Sequence, residues 1–275
     1  MPELPEVEII VRKLSLKLTG YEVSSYRVLF PGLFRNRSGE FLEQLVGRKI
    51  VKIRRRGKVI LLNFDNDLTL LCHLKMTGQL LLSSPQKPVD KHTHFILSFN
   101  NQIEELRFRD VRKFGSILCF QTSETLKFLS LGPEPLEISL SRFQRLFRGR
   151  KARLKSLLLD QNLIAGIGNI YANEILFEAK IHPLLSASFL EEGEIKRLWK
   201  AVRLVLKRAL EHGGSSIRDF KDAEGREGKF QNYHQVYGRK DLPCLRCGEE
   251  IERLRIGGRS SFFCPQCQKE KGESS

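Results

Sequence analysis

The chain opens with apolar positions at helical spacing. Val7, Ile10, Val11, Leu14 and Leu18 fall on one face, which predicts a helix over 2–18. Pro5 suits its first turn, and Glu3, Glu6 and Glu8 lie near its positive N-terminal end. From Tyr21 to about Phe120 the period shortens. Residues 49–55, 59–64, 68–74, 94–99, 105–109 and 116–120 read as short strands, parted by turn signals such as Asp65-Asn66 and Asn100-Asn101. Strands at this spacing predict an antiparallel β-sandwich or barrel. Leu131-Gly132-Pro133-Glu134-Pro135 interrupts the pattern and predicts a hinge.

The second half is helical. Helices are predicted at 142–147, 154–159, 170–179 and about 191–212. In the last, Ile195, Leu198, Trp199, Val202, Val205, Leu206 and Ala209 form an apolar stripe, which reads as core. Residues 213–231 are rich in glycine, serine and charge, and predict a mobile loop. The last eight residues are expected to fray, and no internal repeat is visible. The expected division is 1–133, 134–240 and 241–275.

Composition narrows the class. Of 275 residues, 41% are apolar, enough for a packed core and too many for a disordered tail. No run approaches the roughly 20 apolar residues of a membrane-spanning helix. Residues 1–20 carry acids and no continuous apolar block, so no export signal is expected. Lys and Arg number 47 against 32 Asp and Glu, a net charge of +15 that points to a polyanionic partner. The basic charge is clustered. Arg142, Arg145, Arg148, Arg150, Lys151, Arg153 and Lys155 follow one another without an intervening acid, and Arg54, Arg55, Arg56 and Lys58 form a second group. A solvated basic face is the plain alternative. An unbalanced run of this length favours phosphate contact, which positions a duplex without reading its sequence.

Four of the six cysteines form two C-x-x-C pairs, Cys244/Cys247 and Cys264/Cys267, with sixteen residues between the pairs. Two residues let one tight turn aim both thiolates at one ion, and the gap is long enough for a β-hairpin to return the second pair. This predicts one structural Zn2+. Two disulfides are the alternative, disfavoured in a reducing compartment. Cys72 and Cys119 lie in apolar strands and read as buried small hydrophobes.

Gly166-Ile167-Gly168-Asn169 falls between two short helices, where backbone N–H groups could face a phosphate or simply cap a helix. At the N-terminus, removal of Met1 would leave Pro2 with a free secondary amine. Such an amine can attack an electrophilic carbon and form a protonated Schiff base, an electron sink. Its pKa near 8 leaves a neutral fraction at physiological pH. Glu3 and Glu6 lie beside it as candidate proton carriers. An ordinary helix start is the alternative reading of this segment.

Five motifs occur in order: Pro2-Glu-Leu-Pro-Glu-Val-Glu8; Leu158-Leu-Asp-Gln161 through Ile164-Ala-Gly-Ile-Gly-Asn-Ile-Tyr171; Ile181-His-Pro183; Val236-Tyr-Gly-Arg239; and the four cysteines. With them the chain, from residue 2 to about 268, resembles bacterial formamidopyrimidine-DNA glycosylase, the 8-oxoguanine DNA glycosylase/AP lyase family. The resemblance implies an N-terminal catalytic β-sandwich with flanking helices, a helix–two-turns–helix DNA-binding domain and a C-terminal zinc hairpin, with DNA between the first two. It implies a base-excision-repair enzyme of the bacterial cytoplasm, associated with the nucleoid; a monomer is expected because the sequence shows no oligomer seam. That enzyme would excise 8-oxoguanine and formamidopyrimidines from damaged double-stranded DNA, with no soluble organic cofactor and no membrane partner.

The resemblance also assigns roles. Pro2 would attack C1′ of the damaged nucleotide, Glu3 would donate the proton in base release and ring opening, and Glu6 would help hold the site. Lys58 matches a lysine assigned to β-elimination. Arg259 matches an arginine that binds the phosphates flanking the lesion and assists δ-elimination, leaving a one-nucleotide gap with phosphates at both ends. Met76, Arg112 and Phe114 match the residues that fill the space of the extruded nucleotide, with Arg112 facing the orphaned cytosine. From spacing alone, Met76 and Phe114 would more often be core. His92 and Arg150 match DNA-contact positions, Lys155 and Asn169 would grip phosphates, and 213–231 matches a loop that closes over the flipped base.

The chain departs from the family at Arg112-Lys113-Phe114, where Arg-Arg-Phe is common, and at Arg150, where some members have Lys. The 215–232 loop is only loosely similar. Leu4 and Val7-Glu8 favour this branch over the endonuclease VIII-like glycosylases for oxidised pyrimidines, which remain one alternative. A non-catalytic zinc-ribbon protein that binds damaged DNA is another.

Overall fold

The computed structural model of the chain describes residues 1–35, 38–100 and 103–271. Asn101 of one expected turn, and residues 272–275 of the expected frayed tail, lie outside them. The chain divides into two compact units, Met1–Ser130 with His212–Lys229, and Leu131–Glu211 with Phe230–Ser275.

The first unit holds two four-stranded antiparallel sheets. One has the order β1 (Val23–Val28), β6 (Thr93–Phe99), β7 (Glu105–Asp110), β5 (Gly78–Ser83). The other has β2 (Ile50–Arg56), β3 (Val59–Phe64), β4 (Leu68–His73), β8 (Ser116–Gln121). All six residues of β3 are buried, because both faces are covered. Ile60, Leu62 and Phe64 point into the main core. Val59 and Leu61 form a second cluster with Leu71, against which Leu118, Phe120 and Leu129 pack. Leu129 closes α2 (Thr122–Leu129), a short helix without a long apolar stripe and therefore absent from the sequence pattern.

Helix α1 (Leu4–Leu18) feeds Val7, Ile10, Val11, Leu14 and Leu18 into the main core, as its periodicity predicts. Each such side chain contributes about 1.5–3 kcal/mol on leaving water, so packing rather than propensity fixes the helix. Strands β1 and β5 were not expected. β1 reads Val-Ser-Ser-Tyr-Arg-Val and β5 starts on glycine, too weak a β signal to register.

Residues 212–229, read from composition as a loop of the 134–240 domain, form no regular helix or strand and cluster with the first compact unit. Phe220 and Ala223 are buried in its main core. The Leu82 N–H donates to the Ala223 carbonyl at 2.7 Å, and Gln79 Nε2 donates to the Asp219 carbonyl at 2.5 Å. Two apolar anchors in a polar stretch, and an edge strand with N–H groups to satisfy, are enough to fasten it.

The second unit holds α3 (Leu140–Phe147), α4 (Leu154–Leu159), α5 (Asn169–Glu178), α6 (Glu192–Glu211) and a hairpin of β9 (Glu252–Ile256) and β10 (Arg259–Phe263). The α6 stripe is core as predicted, with Trp199 half-buried and its Nε1–H donated to the Ile138 carbonyl. Two turns join α4 to α5, and Gln161 holds them. Its Oε1 accepts the Gly166 N–H at 2.9 Å, while its Nε2 donates to the carbonyls of Ile167 and Leu159. The tail is ordered further than expected. Gln268 is fully buried between the Cys264 N–H and the Ile181 carbonyl, and Lys271 pairs with Glu191 and Glu194. Among the described residues, no helix is long and apolar enough to cross a membrane.

Gln161→Leu keeps the volume but strips the two turns of three hydrogen bonds. It should lower unfolding stability by about 1–3 kcal/mol in urea titration. An unchanged midpoint would show that the turns hold themselves.

Candidate active site and nucleic-acid interface

Pro2, Glu3 and Glu6 form one buried group at the start of α1. Glu3 is the N-cap, in extended conformation, and the first turn closes as a capping box. The Glu3 side chain accepts the Glu6 N–H, and Glu6 Oε2 accepts the Glu3 N–H at 2.8 Å. Glu6 Oε1 then accepts the Ser215 N–H at 2.8 Å, from the 212–229 segment. Gly214 makes this approach possible. A Cβ there would lie 2.8 Å from Glu6 Oε1, and its φ is +78°. Pro2 thus sits at the positive end of the helix dipole, next in sequence to Glu3 and buried like it and Glu6.

Lys58 is almost buried, in the two-residue turn Gly57-Lys58 between β2 and β3. Arg55, which the sequence grouped with the basic cluster before β3, ties this turn to α1: Nη1 donates to the Gly57 carbonyl at 3.0 Å and Nε to Glu8 Oε2 at 2.9 Å. The Val59–His73 pairing brings His73 alongside. Burial, then the charges of Lys75 and Lys58, push the His73 imidazole down to about 3. Its Nδ1 accepts the Lys75 N–H.

Met76 and Phe114 are exposed, 42% and 51% respectively, against the expectation from spacing that both would be core. They lie on the β4–β5 and β7–β8 turns. The Arg112 guanidinium carbon lies 4.5 Å from the centre of the Phe114 ring, so these two stack before any ligand arrives. His92 is half-buried at the start of β6, its N–H held by Asp90 Oδ1 at 2.6 Å.

In the second unit Arg142, Arg145, Arg148, Arg150, Lys151 and Arg153 are exposed, and among the described residues none forms an ion pair. The Arg150 Nε–H caps the Leu146 carbonyl at the end of α3. Lys155, expected to grip phosphate, is placed differently from its neighbours. It is fully buried, and its ammonium donates to the Ser260 carbonyl at 2.9 Å and Ser261 Oγ at 2.5 Å. Asn169 Nδ2 donates to the same carbonyl at 3.1 Å, and Asn173 Oδ1 accepts the Phe262 N–H at 2.7 Å. These three side chains satisfy the outer edge of β10 and hold the hairpin. Its turn, Gly257-Gly258, has φ of +54° and +75°, the type I′ requirement, and leaves Arg259 exposed on the next residue.

The four cysteines converge. Cys247 Sγ lies 3.5 Å from both Cys264 and Cys267, Cys244 lies 4.0 Å from Cys267, and all four sulfurs fall within 4.8 Å of one another. A tetrahedral ion with Zn–S bonds of about 2.3 Å needs sulfurs about 3.8 Å apart. The set fits Zn2+, and the separations exclude the disulfide alternative. Four thiolates leave no open position, so the ion would be structural. Cys72 and Cys119 are buried as expected, and burial pushes both thiols up to about 12.

Comparison with known proteins agrees with this geometry. Residues 1–117 match the formamidopyrimidine-DNA glycosylase N-terminal domain, 131–221 its H2TH domain, and 241–269 the zinc finger found in FPG and IleRS. The formamidopyrimidine-DNA glycosylase of Desulforamulus reducens is 45% identical over 98% of this chain and 100% of its own. A complex between a Lactococcus lactis FPG mutant and Fapy-dG-containing DNA superposes with a TM-score of 0.92 at 36% identity, covering 98% and 100% of the two chains. The Lactococcus lactis Fpg complex with abasic-site DNA gives the same values.

Lys155→Met should leave the slope of log K against log salt for DNA binding unchanged and increase hydrogen exchange in β10. A slope reduced by about 0.9 would instead make Lys155 a phosphate contact. The second expectation concerns pH. Folded His73 stays neutral down to about 3, whereas an unfolded histidine takes a proton near 6.5. The unfolded chain therefore binds more protons between these values, and stability falls on acidification across that window. His73→Gln should flatten the loss of Tm below pH 6.5, and parallel profiles would count against a neutral buried ring.

Proposed function

The chain belongs to the formamidopyrimidine-DNA glycosylase family, and on that premise we propose which of its residues excise an oxidised purine and nick the strand. It is a base-excision-repair enzyme for oxidised purines, a bifunctional DNA glycosylase and AP lyase with one structural zinc, acting on damaged duplex DNA. The observation that supports the assignment of roles is the buried Glu3–Glu6 capping box next to Pro2.

After loss of Met1, the Pro2 nitrogen attacks C1′ as the glycosidic bond breaks. Glu3 supplies the proton for base release and for opening the sugar ring. The iminium between Pro2 and C1′ then draws electrons from C2′ after proton removal, and the 3′ phosphate leaves by β-elimination with Lys58 assisting. A second elimination releases the 5′ phosphate, with Arg259 against the phosphates. Glu6 positions both partners through the Glu3 and Ser215 N–H groups.

The target base must leave the stack at a cost of a few kcal/mol. Met76, Arg112 and Phe114 fill the space it vacates, with Arg112 toward the unpaired cytosine. His92, Arg150 and Asn169 contact the backbone, and the 212–229 segment adjoins the flipped base. Lys155 acts from behind, by holding the strand that carries Arg259. The protein works as a monomer in the bacterial cytoplasm, at the nucleoid.

Borohydride trapping tests the assignment. Zinc-loaded enzyme lacking Met1, incubated with a duplex carrying 8-oxoguanine opposite cytosine and reduced, should give a covalent band whose peptide map ends at residue 2. Pro2→Gly and undamaged DNA should give far less. Tight binding without a band would leave a damage-binding protein. A band with thymine glycol alone would move the substrate to oxidised pyrimidines.

A further inference from the structure

We propose that Asp110 is the positioning residue that sets the two wedge turns against each other and thereby governs extrusion of the damaged nucleotide. The inference rests on the reading of Met76, Arg112 and Phe114 as the side chains that fill the vacated space.

A wedge replaces a stacked base only if its parts keep fixed mutual positions. Here the parts come from separate turns, both exposed to water, and turns of that kind relax easily. Asp110 ends β7 at the root of one of them and is fully buried. Its Oδ1 accepts the Thr77 hydroxyl at 2.5 Å and the Arg112 N–H at 3.1 Å. Its Oδ2 accepts the Gly115 N–H at 2.7 Å. One carboxylate thus joins the residue after Met76, the amide of Arg112 and the residue after Phe114. Thr77 Oγ1 closes the arrangement by accepting the Arg112 N–H at 3.2 Å.

The clasp is itself anchored. The Asp110 N–H donates to the His92 carbonyl at 2.9 Å, and the His94 ring donates from Nε2 to the Asp110 carbonyl at 2.7 Å. No larger residue fits opposite the carboxylate. A Cβ on Gly115 would lie 2.7 Å from the Phe108 ring and 3.1 Å from Asp110 Oδ2. Three donors converge on the two carboxylate oxygens, and both oxygens are needed as acceptors. An amide has a single acceptor oxygen and would turn its NH2 toward a donor.

Asp110 touches neither the reacting carbon nor, through its buried carboxylate, the DNA. Its loss should slow opening of the stack and spare the chemistry. Single-turnover excision separates the two steps. One substrate carries 8-oxoguanine opposite cytosine in a paired duplex. The other carries it opposite an abasic analogue, where the stack is already loosened. Asp110→Asn should slow the paired substrate about tenfold and the loosened one by less than about twofold. Phe114→Ala, which removes part of the wedge itself, runs beside it.

If Phe114→Ala shows no such split, the wedge reading fails and the clasp falls with it. If Phe114→Ala shows the split while Asp110→Asn slows both substrates equally, or neither, the clasp alone is overturned. Should the Asn variant fail to fold, Thr77→Val removes only the bridge between the turns. It should then give the split at about threefold, and equal rates on both substrates would sink the proposal.

Discussion

A chain terminus is ordinarily the least constrained part of a polypeptide, and here the reacting atom is proposed to be the terminus itself. Everything else in the first unit depends on holding that end still. Burial of the α1 stripe does the coarse work, because Val7, Ile10, Leu14 and Leu18 are fully enclosed in the sandwich core. The Glu6 carboxylate does the fine work. It fixes the first backbone N–H of the catalytic segment on one side and the Ser215 N–H on the other. A segment 200 residues away in sequence is therefore part of the same first turn, which is why residues 212–229 pack where the linear pattern did not place them.

The second unit solves a similar problem with different means. Arg259, proposed to meet the phosphates, projects from a short hairpin that has little core of its own. The zinc-binding cysteines close the base of that hairpin, while Lys155, Asn169 and Asn173 bond the free edge of β10. Burial of a lysine is costly unless its donors are used, and Lys155 uses them on the strand it supports. The same basic run therefore contains two kinds of cation: six exposed ones and one that is buried against the hairpin strand.

The sequence carried the strong periodicities and the spaced motifs. The α1 and α6 stripes, β3, α4 and the cysteine pairs are all visible as local patterns, and β3 and α4 fall on the predicted residues. The weak elements were not visible. β1, β5 and α2 take their order from tertiary partners, and Phe220 with Ala223 anchors a segment whose composition reads as loop. Among site residues, Pro2, Glu3, Glu6, Lys58 and Arg259 carried a recognisable motif. Thr77, Asp110 and Ser215 did not, and Arg55 showed only as one of a basic group, because each acts through hydrogen bonds to residues distant in sequence, which leave no periodic trace. Lys155 shows the converse. Its neighbours in sequence are exposed cations, so only its burial reveals the different role.

These placements share an electrostatic logic. A protein that binds a polyanion is penalised for acids near the phosphates, yet proton transfer and turn geometry both require carboxylates. Pairing each acid with an arginine would remove cations from the DNA. Two fully or almost fully buried acids are satisfied by neutral donors instead: Asp110 by a hydroxyl and two backbone N–H groups, and Glu174 by the N–H groups of Gln235, Val236 and Tyr237. Burial still pushes the Glu174 carboxyl upward, partly offset by those three bonds. Backbone dipoles stabilise the anions without spending side-chain charge, and the exposed arginines of 142–153 keep theirs. Some cations are neutralised inside the fold, as Arg107 is by Glu105, but six of those behind the net charge of +15 lie exposed and without an ion pair between 142 and 153.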